Sequence, residues 1–107
     1  MSPRYASIPA RKEAAKNAAI AAQNEAVAAV DAAKKLLAKA PKGKGTKADI
    51  EAMKADLAGL ETALGDVQTA LNAEDYFGAK DKAEAIKQKA AAITEQINAA
   101  IAKIKGR

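Results

Sequence analysis

From Ile50 to Leu71 the large apolar residues are Ile50, Met53, Leu57, Leu60, Leu64, Val67 and Leu71. Their gaps alternate between three and four, the a/d spacing of a helix that buries one narrow stripe; a strand's period of two cannot produce it. Lys54, Asp56, Glu61, Asp66 and Gln68 stand between them, so the rest of the circumference is wet. Downstream, Tyr76, Ala83, Ala90, Ile97 and Ile104 occupy a positions, and Ala79, Ile86, Ile93 and Ala100 occupy d positions, with Ile101 alongside. Small residues alternate with Ile here, which predicts interdigitation with the Leu-rich seam before it. Upstream the pattern is weaker. Ile20, Val27, Val30 and Leu37 fit one heptad frame, Lys16, Gln23 and Lys34 fill the intervening positions, and Ala19, Ala26 and Ala33 flank the seam.

Punctuation between these stretches sets the helix limits. Ser2-Pro3 and Ile8-Pro9 push the residue before each proline away from helical backbone, which predicts an extended arm over 1–8. Pro9 then suits a first helical position. Pro41, Gly43 and Gly45 break the chain, Thr46 reads as an N-cap and Asp49 as its returning acid. Asn72 can end the second helix in the left-handed conformation and Asp75 can cap the third. Short links make neighbours antiparallel. The expected fold is all-α: one domain over 9–107, an antiparallel up-down-up three-helix bundle with helices of about 9–40, 47–72 and 76–105. Such helices span roughly 40–48 Å at 1.5 Å per residue. No repeat of solenoid length is present.

Composition agrees with helix, since about thirty of the 107 residues are Ala, the strongest helix former. With no Cys and no His, disulfides, thiolate nucleophiles, the usual zinc sites and Ser-His-Asp triads are excluded. The three aromatics, Tyr5, Tyr76 and Phe77, are too few for a base-stacking platform; Tyr76 and Phe77 are expected to plug the bundle near the 2–3 turn. Gly59 and Gly65 fall off the seam and either admit a neighbouring helix or are tolerated. No stretch of 18 uncharged apolar residues exists, so no transmembrane segment is expected, and the first residues lack a signal-peptide core. The expected location is the periplasm or cell envelope if a leader has been removed, and the cytoplasm otherwise.

The net charge of +5 is unevenly spread, with balances of +7 over 1–47, −6 over 48–75 and +4 over 76–107. The middle helix is therefore expected to attract both neighbours. The densest positive cluster is Lys34, Lys35, Lys39, Lys42, Lys44 and Lys47, the candidate face for a polyanion or an acidic partner. The Gly-Lys-Gly-Thr string within it does not meet the phosphate-loop pattern, and no strand precedes it. Glu74 and Asp75 are explained by helix capping before cation binding. No catalytic, cofactor-binding or metal-ligating residue is assigned. The Ala surface of the first helix is the expected docking face, for another protein or for self-association. Nucleic-acid binding, were it to occur, would be weak, sequence-blind and steeply salt-dependent.

The segment Asn72-Ala73-Glu74-Asp75-Tyr76-Phe77-Gly78-Ala79-Lys80-Asp81-Lys82-Ala83 resembles the acidic, Tyr, Ala-Lys helix start of small Ala/Lys/Glu-rich bacterial envelope proteins of lipoprotein type. The order of an Ala-rich first helix, a Pro/Gly-Lys break and a Leu-seamed second helix is similar across roughly residues 14–105. The resemblance implies a non-enzymatic structural or interaction module of the bacterial cell envelope and supplies no site residues.

Overall fold

The computed structural model describes the backbone of residues 3–40 and 47–105, and the side chains of 12–40 and 47–103. It contains three helices, α1 (Pro3–Lys39), α2 (Lys47–Asn72) and α3 (Tyr76–Lys105). They pack as the expected all-α three-helix bundle. Direction follows from the cross-links. Along α1, Lys12, Gln23 and Lys34 meet Glu74, Gln68 and Glu61 in turn, so α2 runs antiparallel to α1. Asp49 shares a groove with Lys103, and Gly59 with Lys89, so α3 runs antiparallel to α2 and parallel to α1.

The limits of α2 and α3 match expectation; the start of α1 does not. Helical backbone is described from Pro3, so the expected extended arm is corrected over 3–8, as is the start near Pro9; residues 1 and 2 lie outside the described residues. Pro3 satisfies the same first-turn preference that singled out Pro9, six residues earlier. Pro9 then lies inside the helix, where by register it offers no N–H to the Tyr5 carbonyl. The predicted cap at Thr46 lies outside the described residues, and Asp49 does fall in the first turn of α2.

The core is built from small side chains. On α3 it takes Ala79, Ala83, Ile86, Ala90, Ile93 and Ile97, the a and d positions read from the sequence. On α2 it takes Ile50, Met53, Leu57, Leu60 and Val67, with Ala70 in place of Leu71. Leu64 and Leu71 are only partly buried. A helix in a three-helix bundle faces two neighbours, so its buried stripe is wider than the two-stranded a/d seam and reaches Ala63 and Ala70.

The buried face of α1 departs most from the expected one. Its buried residues are Ala19, Ala22, Ala26, Val30, Ala33, Leu37 and Ala40, while Ile20 is half-buried and Val27 is 47% exposed. The expected docking face, Ala19, Ala26 and Ala33, is fully buried. These alanines recur every seven residues and let the backbones of α1 and α3 approach closely, and α1 packs more extensively on α3 than on α2. A methyl group is the side chain this seam has room for.

Candidate functional site

The basic cluster is the first candidate, and four of its six lysines, Lys34, Lys35, Lys39 and Lys47, fall within the described residues. Lys34 reaches across to Glu61 on α2, with Nζ 3.0 Å from Oε2. Lys35 pairs with Asp31 one turn back, at 3.4 Å. Lys39 lies in the last turn of α1, where its charge suits the negative end of the helix dipole. Lys47 opens α2, while Lys42 and Lys44 lie outside the described residues. Two of the four described lysines therefore already have carboxylate partners, and Lys39 has the helix end.

The 2–3 turn is the second candidate, and its chemistry is conformational. The left-handed residue is Glu74, with φ 62°, rather than Asn72 as the sequence suggests. Asp75 N–H donates to the Ala70 carbonyl at 2.8 Å and Glu74 N–H to that of Leu71 at 3.0 Å, the paired bonds of a Schellman motif. Asn72 instead stays helical and accepts a hydrogen bond from the Gln68 amide at 3.0 Å. One residue later the chain re-enters helix. Asp75 Oδ1 accepts from the Gly78 N–H at 3.1 Å, the expected N-cap. A Cβ on Gly78 would collide with that carboxylate. Tyr76 packs against the core, but Phe77 is 78% exposed, so only one of the two aromatics plugs the bundle. Adjacent helical positions lie about 100° apart, and with Tyr76 turned to the core Phe77 falls on the solvent side.

Electrostatics at the surface follow the cross-links. Lys12 hydrogen-bonds the Glu74 carboxylate, which raises the Lys12 pKa above its usual 10.5 and lowers that of Glu74 below 4.5; the mutual Coulomb attraction acts the same way. Lys87 of α3 hydrogen-bonds Glu25 of α1, and this bond, then its charge, lowers the Glu25 pKa. The expectation that α2 attracts both neighbours thus holds toward α1. Among the described residues no ion pair joins α2 to α3; Lys87 turns to α1 and Lys80 pairs with Glu84 at 3.9 Å on its own helix. Nothing in the hydrophobic pattern marks the cross-linking residues Lys12, Glu25 and Lys87. One signal was present: Gln23 and Lys34 interrupt the apolar frame of the first helix, and both turn out to span the α1–α2 groove.

Between the helices run open grooves. One, of about 460 Å³, separates α2 from α3 between Asp49 and Lys103; a second, of about 490 Å³, continues it past Gly59. Asp56 and Gln96 line both. Among the described residues no buried side-chain polar atom lacks a partner, and no three acidic residues gather as a cation site. No described helix is long and apolar enough to cross a membrane. Comparison with protein-family models, with curated proteins and with solved structures finds no match.

Proposed function

We propose that the protein is a non-enzymatic structural or protein-interaction module, a stiff helical strut that acts through its surface. One observation carries this reading: every buried side chain described is apolar, and every charged side chain described lies outside the core. Catalysis depends on reactive groups that converge in a water-poor pocket. Here the charged groups are instead spread along a body 70 Å long and 22 Å wide, where they tie helix to helix. Placement in a bacterial cell envelope draws its support from the resemblance at Asn72–Ala83.

The alternative is a small basic protein that binds nucleic acid or another polyanion. It is favoured by Lys39 and Lys47, which form no ion pair among the described residues. Capture from native lysate, with and without nuclease, separates the two. The strut reading expects protein partners or self-association that survive nuclease. A bait that retains only nucleic acid, released by nuclease or by raising salt to about 200 mM, overturns it in favour of the alternative.

A further inference from the structure

Each groove that α1 makes is bridged by charge: Lys12–Glu74 and Lys34–Glu61 over α1–α2, and Lys87–Glu25 over α1–α3. The α2–α3 groove is different. Asp49 and Asp56 lie along its α2 side, and Lys89 and Lys103 along its α3 side, seven and fourteen residues apart respectively. None of the four forms an ion pair among the described residues. The face between these rails is locally neutral although the whole chain is +5. Its surface is low, with exposed Ala52, Gly59, Ala92 and Ala99, and nothing stands within 4 Å of where a Gly59 Cβ would lie.

From this charge pattern we infer that the α2–α3 face is the docking surface for a second copy of the chain. This dimer rests on the interaction-module reading above and gives it a partner and a geometry. A two-fold axis parallel to the helices lays α2 of one copy on α3 of the other. Because Asp49 and Lys103 stand at one level of the groove, that operation sets Asp49 against Lys103 twice over, with Asp56 opposite Gln96. Each α2 then runs antiparallel to its own α3 and to the partner's, so the helix dipoles also favour the pairing. The other possible two-fold, across the groove, opposes α2 to α2 and α3 to α3. It would bring Asp56 against its own symmetry mate and Lys103 against Lys89. Like charges facing one another reject that arrangement, so the charge code selects one of two symmetric dimers. The low Ala and Gly floor lets the two layers approach closely.

Sedimentation equilibrium from about 10 μM to about 1 mM, a range that brackets weak dimers, tests this. The wild-type chain is expected to show a reversible dimer. Asp49→Lys and Lys103→Asp alone are each expected to weaken it about tenfold or more, and the double charge swap to restore it. Far-UV circular dichroism melts check that the variants, all at exposed positions, remain folded. As a second measurement, zero-length carbodiimide coupling on a mixture of light and isotope-labelled wild-type chains is expected to join Asp49 of one copy to Lys103 of the other. A chain monomeric to about 1 mM, single reversals that leave association unchanged, a double swap that fails to rescue, or cross-links confined to one isotope each overturn the dimer. A monomer that still captures protein partners after nuclease leaves the strut reading in place, so the two failures are distinct.

Discussion

Glu74 holds the chain between α2 and α3 in a backbone conformation that a residue with a Cβ adopts at a cost of about 1 kcal/mol or somewhat more. It also carries the carboxylate that meets Lys12, so one residue combines strain with attachment. Comparing Glu74→Ala with Glu74→Gly removes the charge in both and isolates the backbone: the Gly variant is expected to be more stable by about 1 kcal/mol in urea melts. Beside it, Asp75→Ala is expected to cost about 1 kcal/mol through the lost cap on Gly78. Gly78→Ala should be unfavourable beside Asp75, whose carboxylate occupies the space, yet gain helix propensity of up to about 1 kcal/mol once Asp75 is Ala. A double-mutant cycle reads that coupling. The ion pairs set a pH window. Folded Glu25 and Glu74 have lowered pKa values, so their contribution is present above the ordinary carboxylate value of 4.5 and is lost as pH falls through the folded values. Folded Lys12 has a raised pKa, so its contribution is present below 10.5 and is lost as pH rises through the folded value. Thermal melts should therefore be flat in the neutral range and fall on both sides, and Glu25→Gln with Glu74→Gln should flatten the acid side.

At the scale of elements, α1 is a helix with two working faces. Ala19, Ala26 and Ala33 enter the core, while Lys12, Gln23 and Lys34 reach toward α2, and Val27 lies between cross-links with almost half its surface in water. Two valines that share a heptad frame should therefore respond differently. Val27→Ala is expected to stay within about 0.5 kcal/mol of wild type. Val30→Ala should cost about 1 kcal/mol or more, from the lost methyls and the gap they leave. Ala26→Leu should cost about 1–3 kcal/mol, because the close α1–α3 approach has no space for the added carbons. On α2, Gly65 is exposed in mid-helix with nothing within 4 Å of a would-be Cβ. Gly65→Ala is expected to stabilise the fold by about 0.5–1 kcal/mol, read by denaturant melts.

The whole molecule is a rod. Its radius of gyration is 18.3 Å, against about 13 Å for a compact globule of this chain length. Long helices with short side chains between them produce this shape: Ala seams keep the bundle thin, and helix length together with the stagger of α1 against α2 sets the long axis. Small-angle scattering of dilute protein should return a radius near 18.3 Å and an elongated pair-distance profile. A value near the globular one would mean that the helices fold back on themselves. A thin bundle also leaves broad shallow grooves rather than pockets, so recognition has to come from charge pattern and backbone approach. The α2–α3 face supplies both.

Much of this was legible along the chain. The period of Ile50–Leu71 and of Tyr76–Ile101 determined two helices and their inward faces, because Leu, Ile and Val differ sharply from their polar neighbours in the free energy of burial. The links determined the antiparallel hairpin and the cap at Asp75, since few residue types can turn a chain or satisfy a helix end. The role of α1 could not be read in this way. A helix whose apolar content is mostly Ala carries almost no contrast between its faces, for a methyl group gains little by burial and loses little by exposure. Only the packed neighbours decided that Ala19, Ala26 and Ala33 go inside while Val27 stays out, because close approach of two backbones rewards the smaller side chain. The candidate basic cluster had the same limit: sequence places lysines near one another, but whether Lys34 meets Glu61 or solvent depends on which helix lies across the groove. Period and turn chemistry are local quantities and survive in one dimension; the choice among equivalent small or charged positions is made by distances that exist only once the three helices are assembled.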